Sequence, residues 1–192
     1  MSSLRTKNAQ KHPFAPVFDE NSKVLILGSF PPLSTSQKGG FYYADGTNRF
    51  WGILGRLFDK QDLPKRSKDE KIAFLKAHKI ALYDIWGVCY KDDPNSTDDG
   101  AIIAEKSQKA DLSEILKVAK IEKIFTTIGT SYEKWGVAEW LWGEYGSYFP
   151  HCEGVGELVV PLCSTSGATR LSYEELIEKQ GYKQIAEILK KG

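Results

Sequence analysis

The chain has 192 residues, a net charge of +1 and 41% hydrophobic residues, which is the size and make-up of one domain with a sizeable core. The near balance of charge excludes strong non-specific binding to nucleic acid over the whole surface and leaves room only for a local basic face. No apolar run approaches the roughly 18 residues of a membrane-spanning helix, and no apolar signal segment opens the chain, so we expect a cytoplasmic protein with no membrane partner.

Residues 1–13 are polar and basic, with Arg5, Lys7, Lys11 and His12. They read as a flexible arm ahead of a single domain over residues 14–192. Four apolar, β-rich runs follow at wide intervals: 23–27, 80–85, 123–128 and 158–162. Helical patterns lie between them. One spans 48–58 with Thr47 as its N-cap. A second spans 68–78, capped by Ser67, with Ile72, Phe74 and Leu75 as core positions. Others cover 112–119, 130–142, 172–180 and 182–190. Strands alternating with helices predict a three-layer α/β/α sandwich around a mainly parallel four-stranded sheet. The stretch 91–100 reads as a polar loop.

Three strand ends carry chemistry. Val24-Leu25-Ile26-Leu27 stops at Gly28-Ser29-Phe30-Pro31-Pro32, and a loop rich in Gly and aromatics leads to Asn48, Phe50 and Trp51. Sites in open α/β sheets form where strands end. Aromatic faces beside a positioned amide suit a flat polar ring such as a nucleobase. The second run holds Asp84 within Ala81-Leu82-Tyr83-Asp84-Ile85-Trp86. A carboxylate in so apolar a run needs a partner or a ligand. The fourth run ends in Cys163-Ser164-Thr165-Ser166-Gly167-Ala168-Thr169-Arg170, whose hydroxyls, N–H groups and arginine suit phosphate. The chain has no GxSxG elbow, HExxH or P-loop lysine motif. Cys89, Cys152 and Cys163 lack CxxC spacing, so we expect reduced thiols and no metal or cofactor.

In this order, the three blocks resemble the uracil-DNA glycosylase superfamily, nearest its hypoxanthine-DNA (deoxyinosine) and mismatch-specific branches. Gly28-Ser29-Phe30-Pro31-Pro32 is similar to the first catalytic motif. Tyr42-Tyr43-Ala44 through Asn48-Arg49-Phe50-Trp51 is similar to the Tyr-Tyr-Ala-His-Pro-x-Asn-x-Phe-Trp block. Ser164-Thr165-Ser166 resembles the start of the DNA-intercalating loop, and the strand bearing Asp84 resembles the hypoxanthine branch's base-pocket strand. The chain departs from the pattern at Phe30, where many relatives hold Asp or Asn, and at Asp45-Gly46, which replaces His-Pro.

The resemblance implies a monofunctional DNA glycosylase that hydrolyses the N-glycosidic bond of a deaminated base, hypoxanthine or uracil, flipped from DNA. It implies Asn48 as the catalytic amide, and Gly28, Ser29, Phe30, Tyr43 and Asp84 as the base-binding set. Ser164, Thr165, Ser166 and Arg170 would bind DNA. The expected partner is DNA containing a deaminated base, met by a monomer. The alternatives are a non-catalytic lesion-binding module and an α/β enzyme acting on free nucleosides or nucleotides.

Overall fold

Residues 9–33 and 40–190 are described by the structure, a computed structural model. The expected arm does not extend to residue 13, because strand β1 (Ala9–Lys11) is already paired in a sheet. Residues 1–8, the rest of that arm, lie outside the described residues.

All four expected strands form, as β2 (Val24–Gly28), β3 (Ile80–Asp84), β6 (Lys123–Thr126) and β7 (Val159–Pro161). They make one sheet in the order β3-β2-β6-β7, and every neighbouring pair is parallel. A parallel sheet is covered on both faces, which is why its strands read as unbroken apolar runs.

Alternate residues feed two cores. Leu25, Leu27, Ala81 and Ile124 pack on one side with helices α3 (Ser113–Val118) and α5 (Val137–Tyr145). Val24, Ile26, Leu82 and Phe125 pack on the other with α1 (Phe50–Leu57), α2 (Lys68–Ala77) and α7 (Lys183–Lys190). Each large apolar side chain buried there contributes about 1.5–3 kcal/mol before entropy is counted. The expected three-layer α/β sandwich is therefore the observed architecture.

A smaller antiparallel sheet of β1, β4 (Trp86–Tyr90) and β5 (Gln108–Lys109), in the order β1-β4-β5, was not expected from the pattern. The chain leaves the large sheet at Asp84, passes Ile85, and enters β4 (Trp86–Tyr90), which pairs with β1 and with β5 (Gln108–Lys109). The second apolar run thus divides between two sheets.

Helix starts follow local polar chemistry. Ser67 and Glu70 form a capping box on α2, as its sequence predicts. Helix α1 begins two residues later than expected. The N–H and hydroxyl of Thr47 are instead turned back onto Asp45 Oδ1, at 2.8 and 2.5 Å. Asn48 Oδ1 then accepts the Phe50 N–H at 2.9 Å. The helix expected over 130–142 is two, α4 (Ser131–Lys134) and α5, because Gly136 takes φ +56° between them. A short helix α6 (Val155–Leu158) leads into β7. The helix expected over 172–180 contains a π-helical turn at Glu175–Lys179.

Candidate active site

The loops leaving β2, β6 and β7 meet the end of β3 over the C-terminal edge of the large sheet, the usual site position in open α/β folds. They enclose a cavity of about 190 Å³. A cavity of about 150 Å³ is known to hold benzene, so there is room for an aromatic ring. Ser29, Phe30 and Pro31 form one wall. Tyr43 and Asn48 form a second, and Ser164, Thr165 and Ser166 a third. Asp84, Asp99 and Thr127 complete the lining.

Gly28 lies beneath this cavity, paired in register with Asp84. A Cβ on Gly28 would stand 2.3 Å from Asp84 Oδ1 and 2.5 Å from the Tyr43 hydroxyl. No side chain fits there. The missing Cβ lets a carboxylate oxygen and a phenol converge on the strand end. Tyr43 is held in the left-handed region at φ +54°, a conformation that a bulky residue adopts only when its surroundings impose it. Two contacts do so here. Its ring stacks on Phe50 at 3.9 Å and 20°, and its hydroxyl hydrogen-bonds to Thr127 Oγ1 at 2.8 Å. Burial, and then Asp84, push the Tyr43 phenol well above its ordinary pKa. It therefore stays a neutral hydroxyl.

Asp84 has the partner that its apolar run demanded. His12 Nε2 lies 2.8 Å from Asp84 Oδ2, and both side chains are almost fully buried, at 3% and 6% exposure. The sequence reading missed His12, which it placed in a mobile arm. Strand β1 carries it there, and the His12 N–H donates to the Gly87 carbonyl at 2.9 Å.

Asp99 is a second carboxylate in the cavity that the sequence reading missed. Ser29 Oγ donates to its Oδ1 at 2.7 Å. Burial lifts the Asp99 pKa, opposed by that hydrogen bond and by nearby Lys91. Lys91 is itself buried and donates to the Ser96 carbonyl at 2.9 Å.

Asn48 occupies the cavity wall at the foot of α1. Its carbonyl end is committed to the Phe50 N–H. The amide NH₂ has no protein acceptor among the described residues, so the donor end is the one left for a ligand.

The third wall is tied to the same helix by Arg49. Its backbone N–H donates to Thr165 O at 3.0 Å. Its guanidinium donates to the carbonyls of Ser166 at 2.8 Å, Thr169 at 2.7 Å and Leu171. Within the loop, Ser164 Oγ and Ser166 Oγ accept backbone N–H groups at 3.2 and 3.3 Å. These are ST-turns that leave each hydroxyl proton free to donate outward.

The structure therefore brings Ser29, Phe30, Tyr43, Asn48, Asp84 and the Ser164 wall to one cavity, with Gly28 supporting it from below. Thr165 is 1% exposed, so in this conformation its side chain belongs to the cavity wall and not to a phosphate-binding surface. Arg170 is exposed and stands outside the cavity. Among the described residues, no group of three His, Cys, Asp or Glu is arranged to hold a metal ion. No helix among them is long and apolar enough to cross a membrane.

With this geometry in place, three similarities bear on the chain. It is 29% identical to the hypoxanthine DNA glycosylase of Methanosarcina barkeri over 176 residues, which span 91% of this chain and 97% of that protein. It is 34% identical over 76 residues to the hypoxanthine DNA glycosylase of Methanosarcina acetivorans, covering 40% of this chain and 47% of that one. Its fold matches a solution NMR structure from M. acetivorans described as a candidate uracil DNA glycosylase. The TM-score is 0.63 at 23% identity, over 93% of this chain and 95% of that one. No family model matches the sequence.

Proposed function

We infer, for a chain related to the hypoxanthine DNA glycosylases within the uracil-DNA glycosylase superfamily, a monofunctional enzyme that hydrolyses the N-glycosidic bond of a deaminated base in DNA, with hypoxanthine preferred over uracil. The observation that carries this reading is that one ring-sized cavity offers a buried carboxylate and a free amide donor, Asp84 and Asn48.

Uracil and hypoxanthine each present a ring N–H beside a carbonyl. Cytosine and adenine present a ring-nitrogen lone pair at the corresponding place. Asp84 Oδ1 accepts and cannot donate while ionised, so it favours the deaminated edge and repels the normal one. The Ser29 and Phe30 N–H groups have no backbone acceptor among the described residues. They lie where an oxygen of the departing base gains negative charge. Phe30 supplies an apolar wall for the flipped ring, and Asn48 Nδ2 holds the attacking water or the developing charge.

In the reaction, the water oxygen bonds to C1′ and the C1′–N bond breaks. The electron pair leaves with the base, which takes up the proton that water gives up. No lysine among the described residues lines the cavity, which favours hydrolysis over a Schiff-base lyase route. We place the enzyme in the cytoplasm with DNA as its partner.

The test is single-turnover base release from duplexes carrying hypoxanthine, uracil or xanthine, read by alkaline strand scission. Release from the hypoxanthine duplex supports the proposal. Lesion-selective binding without release from any duplex would make this a binding module. Turnover of free nucleosides alone would make it a nucleoside enzyme.

A further inference from the structure

We propose that His12 is the positioning residue of the base-reading carboxylate. By taking Asp84 Oδ2, it leaves Oδ1 as a single directed acceptor, and so sets the preference for a base edge that bears a ring N–H. The proposal rests on the reading of Asp84 as the group that meets that edge.

The route of the chain delivers His12 with little freedom. Lys11 pairs with Val88, the His12 N–H bonds to Gly87 O, and Val17 exchanges both backbone hydrogen bonds with Leu82 at 2.8 and 2.9 Å. The segment is thus pinned to the small sheet on one side of His12 and to the base-pocket strand on the other. Between these anchors the imidazole sits among the rings of Phe14, Phe30, Tyr42 and Tyr83, with centroids 4.8–6.0 Å away. The ring is not part of the cavity lining. It stands behind Asp84 and acts only through it.

With Asp84 as the acceptor, Nε2 is the ring nitrogen that donates to Oδ2. Nδ1 faces the Phe14 carbonyl at 2.8 Å and the Phe14 N–H at 3.2 Å. If Nδ1 accepts from that N–H, the neutral ring carries its proton on Nε2. In that tautomer Nε2–H donates to Asp84 Oδ2.

The other oxygen, Oδ1, has no hydrogen bond to the described residues and lies over Gly28. A carboxylate with one oxygen capped and the other over a glycine has one orientation and one acceptor left for the cavity. Released from His12, the group is free to rotate about Cβ–Cγ. Turned about that bond, it no longer presents a fixed acceptor to the ring N–H of hypoxanthine, and its repulsion of the adenine lone pair relaxes with it.

Two substitutions separate this from a packing role. His12→Phe keeps an aromatic ring in the box and removes both nitrogens. His12→Gln removes the ring and keeps an N–H that can reach the carboxylate. Single-turnover release is measured on hypoxanthine and adenine duplexes, with Asp84→Asn as the reference. We expect His12→Phe to lower the hypoxanthine-to-adenine ratio about 10- to 100-fold, the scale of one lost charge-assisted hydrogen bond, and His12→Gln to recover most of it. A folded His12→Phe with an unchanged ratio, beside an Asp84→Asn that loses it, overturns the role of His12 and leaves the reading of Asp84 intact. An unchanged ratio in Asp84→Asn overturns that reading itself. Should His12→Phe fail to fold, ¹⁵N-histidine spectra of the full chain carrying Asn48→Ala decide. A protonated Nε2, shifted by the hypoxanthine duplex and unmoved by the adenine duplex, supports the proposal. An Nε2 without hydrogen overturns it.

Discussion

Ser29 donates its hydroxyl to Asp99 across 2.7 Å, joining the loop after β2 to a residue 70 positions further along the chain. No cation lies at ion-pair distance from Asp99 among the described residues. The fold therefore holds a half-buried carboxylate whose hydrogen-bond partner is neutral.

The sign of the pH effect follows from the raised pKa of Asp99. Just above the ordinary aspartate value of about 3.9, the folded state binds more protons at Asp99 than the unfolded state does. This group's contribution to stability therefore falls as pH rises through the window between the two values. Asp99→Asn keeps an acceptor for Ser29 and removes the charge. We expect it to raise the melting temperature at pH 7, with the advantage shrinking towards pH 4. Parallel melting curves over pH 4–8 check this, and equal melting temperatures at pH 7 would refute it.

Asn48→Ala should lower single-turnover base release by about 10²–10³-fold, the scale of losing one preorganised donor. It also removes the acceptor for the Phe50 N–H, a cap-like loss of about 1 kcal/mol. Rate and unfolding free energy measured on one preparation separate the two effects. A folded variant that releases base at the native rate removes Asn48 from the chemistry.

Gly28→Ala brings a methyl group within 2.3 Å of Asp84 Oδ1 and 2.5 Å of the Tyr43 hydroxyl. One or both must move, at a cost of about 1–3 kcal/mol. We expect base release to fall more than binding of undamaged duplex, since the DNA-facing wall is untouched. Equal losses in both would mean that the substitution spreads beyond the strand end.

Arg49 spends its guanidinium on three carbonyls of the 164–171 segment. Arg49→Met should loosen that wall and weaken duplex binding, and its effect on rate should persist at saturating enzyme because Asn48 is the adjoining residue. Arg170→Ala should instead weaken binding alone and reduce the salt slope by about one ion. Titrations at several salt concentrations distinguish them, and an Arg170→Ala slope equal to the native one would refute its DNA contact.

Lys109 lies 4.0 Å from the Trp86 ring centroid and donates to the Trp135 carbonyl at 2.9 Å. Burial lowers its pKa to about 8. Between there and the ordinary lysine value of about 10.4, the unfolded state binds more protons, so this group's contribution to stability rises with pH. Lys109→Met should flatten the difference in melting temperature between pH 7.5 and pH 10. An unchanged pH dependence would show that Lys109 does not titrate in that window.

The sheet was legible because burial on both faces leaves four unbroken apolar runs. Asp84 was legible because a carboxylate within such a run is out of place, and it does hold a buried partner. That partner was not legible. His12 lies 72 positions away in a basic stretch, and its pairing is made by tertiary strand contacts that no local period encodes. Asp99 was hidden for a different reason. It sits among Asp92, Asp93 and Asp98 in a polar loop, where nothing local separates the one that turns inward. Thr47 misled the α1 boundary because Asp45 competes for its N–H and hydroxyl. Gly136, at φ +56°, divides the helix expected over 130–142.

The sheet's order also sets when the cavity comes into being. Val24 pairs with Ile80 and Leu27 with Thr126, so the central strand waits for partners made much later in the chain. Closing loops of that length is slow compared with forming helices. The His12 clamp and the Ser164 wall come from opposite ends of the sequence and meet only across the finished sheet. A nascent chain still lacking β7 also lacks the Ser164 wall, so its recognition cleft is incomplete. Occupancy by a base therefore selects the fully folded molecule, and ligand-induced resistance to proteolysis would report complete folding rather than the order of any one segment.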